Sequence, residues 1–160
     1  MSFAPRVLLL AIVLAGCGQP ASSPSPSPTP PAQAVDADAE AKEIAAALAK
    51  LPAPYNGADY DNGHRIFQQC AACHLIAAGA GNSVGPNLHG VLGRKAGTLK
   101  DFDYSAGLKK SGIVWDSATL DKWLTQPQSF VPNTRMTFLG VKKPDDRRDV
   151  IAYVEIEQAR

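Results

Sequence analysis

The chain has 160 residues and a formal net charge of +1, with 16 Lys and Arg nearly balanced by 15 Asp and Glu. The positive residues Lys109/Lys110, Lys142/Lys143 and Arg147/Arg148 are local pairs, and nothing supplies the concentrated basic face that nucleic-acid binding requires. These pairs read as solvated surface, with a docking patch for a protein partner as the alternative.

Residues 1–16 have the composition of a secretory leader, with Arg6 as the positive start and 7–15 as a short apolar core. That run is far too short to cross a bilayer, which takes about 20 residues. It ends in Leu14-Ala15-Gly16-Cys17, which resembles a bacterial lipobox. The resemblance implies cleavage before Cys17, acylation of its thiol and new amino terminus, and a mature protein tethered to the membrane without spanning it. The alternative is an ordinary secreted chain in which Cys17 is incidental. Gly18 rather than Asp after the cysteine favours the outer membrane in lipoproteins of this kind.

Residues 18–33 are dense in Pro, Ser and Ala and cannot bury a core, so they read as an extended, semi-rigid spacer. In polyproline II form, at about 3.1 Å per residue, they reach up to roughly 50 Å. Residues 36–51 are Ala-rich, with Glu40, Lys42 and Glu43. They read either as a lone helix capped by Asp36 or Asp38, or as more linker. The domain organisation is therefore a leader at 1–16, a lipidated cysteine and linker at 17–54, and a folded unit at 55–160, of a size for one small domain. From residue 56 onward 13 Lys and Arg face 11 Asp and Glu.

The first helix of that unit is expected over 59–69, with Ile66 and Phe67 on its apolar face and Gly63 one turn earlier. It runs into Cys70-Ala71-Ala72-Cys73-His74, the sequence pattern for covalent attachment of haem. Two thiols three residues apart reach the two vinyl groups on one porphyrin edge, and the histidine that follows ligates the iron. A redox-active dithiol would want a strand before the cysteines and a βαβ pattern around them, whereas 59–69 reads as helix. A structural zinc site would want four ligands in two spaced pairs, and His64 and His89 form no pair. With two thiols on haem and one on lipid, no cysteine remains for a disulfide.

Between His74 and Tyr104 glycine and proline recur without periodicity. So long a loop in a compact domain needs something inside to hold it, and a haem, with its large apolar surface, would serve, so the chain is not expected to fold properly without it. A short helical turn is expected at 105–110. A second helix is expected over 117–125, capped by Asp116 or Ser117, with Leu120, Trp123 and Leu124 inward and Pro127 shortly after its end. Met136 lies 62 residues past His74 and is the one methionine outside the leader. Methionine paired with a proximal histidine is the electron-transfer type of haem ligation. The third helix starts after Pro144, with Asp145 or Asp146 near its cap and Val150, Ile151, Tyr153 and Val154 on its apolar face.

From Gly63 to the end the chain resembles class I cytochromes c, the small mitochondrial and bacterial carriers. The elements occur in order: Gly63 and Phe67, Cys70 to His74, Gly85-Pro86-Asn87-Leu88-His89-Gly90, Gly93-Arg94, Tyr104, Trp115, Thr134-Arg135-Met136, and Asp149 with Tyr153. The resemblance implies an all-α fold of three main helices and long loops wrapped round one covalent haem c. It makes His74 and Met136 the axial ligands and Cys70 and Cys73 the thioether positions. The Pro86 carbonyl then accepts the N–H of His74, and Arg94, Tyr104, Trp115 and Thr134 hydrogen-bond the haem propionates. Gly63 and Phe67 meet Tyr153 where the first and last helices cross. Read singly, Tyr104 and Trp115 are as well explained as core aromatics and Arg94 as a surface charge. His89 reads as structural in its loop, His64 as facing solvent, and Phe138 as haem-edge packing or simple core. Three positions depart from the family pattern: Trp123 stands where a tyrosine is common, Leu108 where asparagine is, and Asn133 where glycine is.

The function implied is one-electron transfer without catalysis. The partners implied are a quinol–cytochrome c reductase as donor and a terminal oxidase or another periplasmic reductase as acceptor. The expected address is the periplasmic side of a bacterial membrane, with the protein a monomer anchored through Cys17, and nearby lysines are expected to steer partners. Two other readings stay open: an accessory haem subunit docked in an oxidase or dehydrogenase complex, and a haem sensor or enzyme in which Met136 gives way to a small molecule.

Overall fold

The computed structural model describes residues 37–160. The expected leader, Cys17 and the spacer up to residue 36 lie outside the described residues. The elements in chain order are α1 (Ala37–Leu48), a 3-10 turn (Tyr55–Gly57), α2 (Tyr60–Ala71), α3 (Ala106–Lys110), α4 (Ser117–Thr125), α5 (Pro127–Phe130) and α6 (Pro144–Glu157). Among the described residues there is no β-strand, only an isolated antiparallel bridge between Lys95 and Val114. The fold is all-α, as expected.

The helices begin where their caps dictate. The Asp59 carboxylate accepts from the Asn62 N–H at 2.9 Å and opens α2. Asp116 and Thr119 form a reciprocal capping box that opens α4, so Asp116 is the cap and Ser117 is the first helical residue. Ser105 caps α3 through its hydroxyl. At α6 the expectation needs correcting: the cap is Lys143, which offers no side-chain bond, and Pro144 takes the first position. Proline is suited there because its missing N–H would have no helical partner anyway. Asp145 and Asp146 then fall in the first turn, where the helix dipole favours them. The segment at 36–51 is helix over α1, which lies against α6 and the 3-10 turn. Asp38 stands in its first turn.

The frame is the crossing of α2 and α6. Gly63 is buried there, and a Cβ at this position would fall on the Asp149 carbonyl oxygen and within 2.8 Å of the Tyr153 Cβ. Phe67 packs its ring on Tyr153 with centroids 5.1 Å apart, and Tyr60 does the same from the previous turns of α2. Asp149 is 2% exposed. Its carboxylate accepts from Asn62 Nδ2 at 2.7 Å, from the Asp59 N–H at 3.1 Å and from Arg148 Nη2 at 2.7 Å. A buried charge tolerates its surroundings only when paired and hydrogen-bonded in this way.

Arg147 ties α6 to the rest of the molecule. It donates to Asp121 of α4 at 2.9 Å and to the carbonyls of Val141 and Lys142 at 3.0 Å each. Arg147 and Arg148 are therefore structural clamps rather than solvated surface. His64, as expected, is exposed, and it contacts Gln68.

The long loop after His74 is organised by polar groups of its own. Asn87 is buried. Its amide donates to the carbonyls of Ala77 and Gly81, and its Oδ1 accepts the His89 N–H at 2.6 Å. Further on, residues 93–96 pair with 113–115: Gly93 N–H to Trp115 O, Trp115 N–H to Arg94 O and Ala96 N–H to Ile113 O.

Candidate functional site

The elements enclose a cavity of about 390 Å³. Its walls are mostly apolar and come from every part of the domain: Phe67 of α2, Val91 of the loop, Leu120 and Leu124 of α4, Ile151 and Val154 of α6. Its polar and sulfur-bearing lining includes every haem-site residue singled out in the sequence, together with Gln69, Asp103, Ser105, Arg135 and Thr137. Cys70, Cys73, His74, Pro86, Arg94, Tyr104, Trp115, Thr134 and Met136 all line this one cavity. His64 and His89 are not in its lining.

The end of α2 sets the geometry of the first three. The Cys70 carbonyl accepts from the N–H groups of Cys73 and His74, at 3.0 and 2.9 Å. This closing turn brings both thiols and the imidazole to the same opening. His74 Nδ1 stands 2.7 Å from the Pro86 carbonyl oxygen. A carbonyl only accepts, so Nδ1 carries the proton and Nε2 is left with its lone pair. Gly85 makes this approach feasible. Its N–H bonds the Cys73 carbonyl at 2.8 Å, and any side chain there would collide with the His74 ring. Burial lowers the His74 pKa, outweighing the opposite effect of the Pro86 bond. The ring is thereby kept neutral, the form that binds metal.

The cysteines are free. Burial, with a smaller contribution from neighbouring Cys73, pushes the Cys70 thiol up to about 11. The nucleophile of a dithiol oxidoreductase has a lowered pKa instead, so that alternative lacks its chemistry here. Among the described residues no group of three or more His, Cys, Asp or Glu is placed to hold a metal ion, which leaves the zinc alternative without a ligand set.

Arg94, Tyr104 and Trp115 form a second group in the lining. Arg94 donates to the carbonyls of His89 at 3.0 Å and Asn87 at 2.9 Å. Burial lowers its pKa and raises that of Tyr104, and the two side chains interact electrostatically. Trp115 meets Trp123 edge-on at 5.5 Å, and Trp123 meets Phe130 at 6.4 Å. Trp123 and Leu108, two of the departures, are buried wall residues. Asn133, the third, adopts φ +61°. Asparagine is among the few residues other than glycine that visit the left-handed region at modest cost, which accounts for its presence there.

Met136 sits on a segment with unusual support. Residues 135–140 make no backbone-to-backbone hydrogen bond among the described residues. Side chains take over. The Met136 N–H donates to Thr134 Oγ1 at 3.3 Å, and Gln128 Nε2 donates to the carbonyls of Met136 at 2.7 Å and Thr134 at 3.2 Å. Arg135 is pinned to the carbonyl and carboxylate of Asp103, which also receives Lys109 at 3.1 Å. Gln128, Asn87 and the role of Gly85 went unread in the sequence. Only Gly85-Pro86-Asn87 carried a signal, as part of a motif.

The donor set tests what the cavity fits. A largely apolar cavity lined by two thiols, an imidazole offering Nε2, a thioether, a half-buried Arg94 and the buried Tyr104 and Trp115 suits a covalently attached haem. The chain is similar over most of the domain to small electron carriers. Residues 60–156 match the cytochrome c family model. Cytochrome c2 of Rhodomicrobium vannielii is 42% identical over 117 residues, covering 73% of this chain and 94% of the relative. Cytochrome c 2.1 of Caenorhabditis elegans is 45% identical over 103 residues, covering 64% and 92%. Cytochrome c2 of Rhodoblastus acidophilus is 49% identical over 96 residues, covering 60% and 90%. With its helices, cavity and donor set in agreement with these matches, the chain belongs to the cytochrome c family and is a haem-based electron carrier with one covalent haem c.

Proposed function

We propose that His74 and Met136 are the two axial ligands of the haem iron, with Cys70 and Cys73 as the thioether positions, in a carrier that works between membrane-bound respiratory complexes. The observation that carries this reading is the His74–Pro86 contact of 2.7 Å. It leaves Nε2 free toward a cavity that also takes in Met136. The haem supplies a centre that accepts and returns one electron. Met136, as a soft neutral donor, and the apolar walls, as a low-dielectric surrounding, both favour the less charged ferrous state and raise the potential. With two protein ligands the chain keeps no open position for a substrate, and it is not itself an enzyme. Arg94, Tyr104, Trp115 and Thr134 are the donors for the propionates.

The lipobox-like Leu14-Ala15-Gly16-Cys17 supports an acylated Cys17 and a periplasmic address. A tether of this kind raises the effective concentration of membrane-bound partners, a reductase on one side and an oxidase or other reductase on the other.

The test is a visible spectrum of the holoprotein in both oxidation states, with carbon monoxide added to the ferrous form. A weak far-red sulfur-to-iron band in the ferric protein is expected, lost in Met136→Ala, with no carbon monoxide shift in the parent. A shift in the parent would favour the sensor or enzyme reading. For the anchor, Cys17→Ser should move the protein from the membrane fraction to the soluble fraction.

A further inference from the structure

We infer that Gln128 is a positioning residue for the distal ligand: its side-chain amide is the clasp that holds the Met136 backbone in place beside the cavity. The inference rests on Met136 being the ligand.

Residues 135–140 make no backbone-to-backbone hydrogen bond among the described residues, so the place of Met136 is not set by secondary structure. Its N–H meets Thr134 Oγ1 at 3.3 Å, a long contact from two residues away. Among the described residues its carbonyl has a single hydrogen-bond partner, Gln128 Nε2, at 2.7 Å. The same nitrogen reaches the Thr134 carbonyl at 3.2 Å, so one amide group bridges both ends of the Thr134–Met136 stretch. A local bond such as Thr134 to Met136 stiffens the turn but does not tie it to anything else. Gln128 does, because it stands on α5.

The base of the clasp is firm. Pro127 is fully buried at the start of α5. The Phe130 and Ser129 N–H groups both bond the Gln126 carbonyl at 3.1 Å, and the Val131 N–H bonds that of Pro127 at 2.9 Å. Phe130 in turn stacks edge-on against Trp123 in the cavity wall. The Gln128 side chain is exposed, so its replacement disturbs no core packing, and an effect on the ligand would have to pass through the hydrogen bonds.

The experiment competes Met136 with imidazole in the full-length ferric holoprotein, following the far-red sulfur-to-iron band. Two variants are compared with the parent: Gln128→Glu, which keeps size and shape but removes the donor, and Gln128→Leu, which removes polarity altogether. Losing one net hydrogen bond to the ligand segment should let imidazole displace Met136 at about tenfold lower concentration in both variants. Gln128→Arg, which restores an N–H donor within reach, should recover most of the parent's resistance. Thermal midpoints serve as the control for a merely structural role, which would lower the midpoint without changing the imidazole midpoint. Displacement within twofold of the parent in both variants, with the band still lost in Met136→Ala, would overturn the role of Gln128 and leave the ligand assignment intact. A parent without the band, or a band that survives Met136→Ala, would overturn the ligand assignment itself, and the role of Gln128 with it.

Discussion

Single atoms decide much of this molecule. Gly63 has no room for a methyl group against the Asp149 carbonyl and Tyr153. Gly63→Ala should destabilise the holoprotein by about 1–3 kcal/mol, the range for overpacking a tight contact, as measured by denaturant unfolding. Asp149→Ala acts differently, by leaving Arg148, Asn62 and the Asp59 N–H without their common acceptor. Removing one partner of a buried pair costs about 3–5 kcal/mol, and because Arg148 retains some contact with water the lower end is expected. Asp103 provides the pH-dependent case. Its pKa is lowered by the hydrogen bonds from Arg135 and Lys109. A lowered carboxylate pKa adds stability above the ordinary carboxylate range, and that stability is lost as pH falls through the lowered value. Asp103→Asn should therefore be slightly less stable than the parent near neutral pH and equal to it in strong acid. The difference is small because the pair is exposed.

Among the elements, α2 and α4 were legible because each combines a capping aspartate with an apolar periodicity, Asp59 before Ile66 and Phe67 and Asp116 before Leu120 and Trp123, and α6 because Pro144 and first-turn acidic residues precede Val150 and Val154. α5 was not legible, since Pro127-Gln128-Ser129-Phe130 is too short to show a period. Asn87 and Gln128 escaped for another reason. Each acts through carbonyls brought near by the fold, and a lone polar residue in a sequence does not announce which carbonyls those are. Cys70, Cys73 and His74 stand out in the sequence because their spacing confines them within five positions, whereas Pro86, Arg94, Tyr104, Trp115 and Thr134 are singled out only through the family resemblance. α1 could be read as helix or linker, and its composition cannot distinguish the two. It contains no buried residue, so a chain beginning after α1 should keep the parent's visible spectrum and lose no more than a few degrees of thermal midpoint, as followed by circular dichroism.

For the whole molecule the cavity is the dominant fact. At roughly 24 cal/mol per Å³, leaving 390 Å³ unfilled would cost at most about 9 kcal/mol, which is within the entire stability of an ordinary domain. The haem is accordingly part of the core. Cys70→Ala combined with Cys73→Ala, which abolishes covalent attachment, should yield a chain with much reduced helical circular dichroism under conditions where the parent is folded. A double variant with parent-like helicity would show that the polar network around Asn87 and the α2–α6 crossing suffices.

The two halves of the site are built to different standards of permanence. His74 follows shortly after α2, locked to α6 through Gly63 and Asp149, whereas residues 135–140 make no backbone-to-backbone hydrogen bond among the described residues. In amide exchange against deuterium, the α2–α6 crossing should be released only by global unfolding and the Met136 segment by small local openings. If His74 and Met136 are the two ligands, the chain would let go of the Met136 side many times in the life of a single folded molecule while keeping the His74 side fixed.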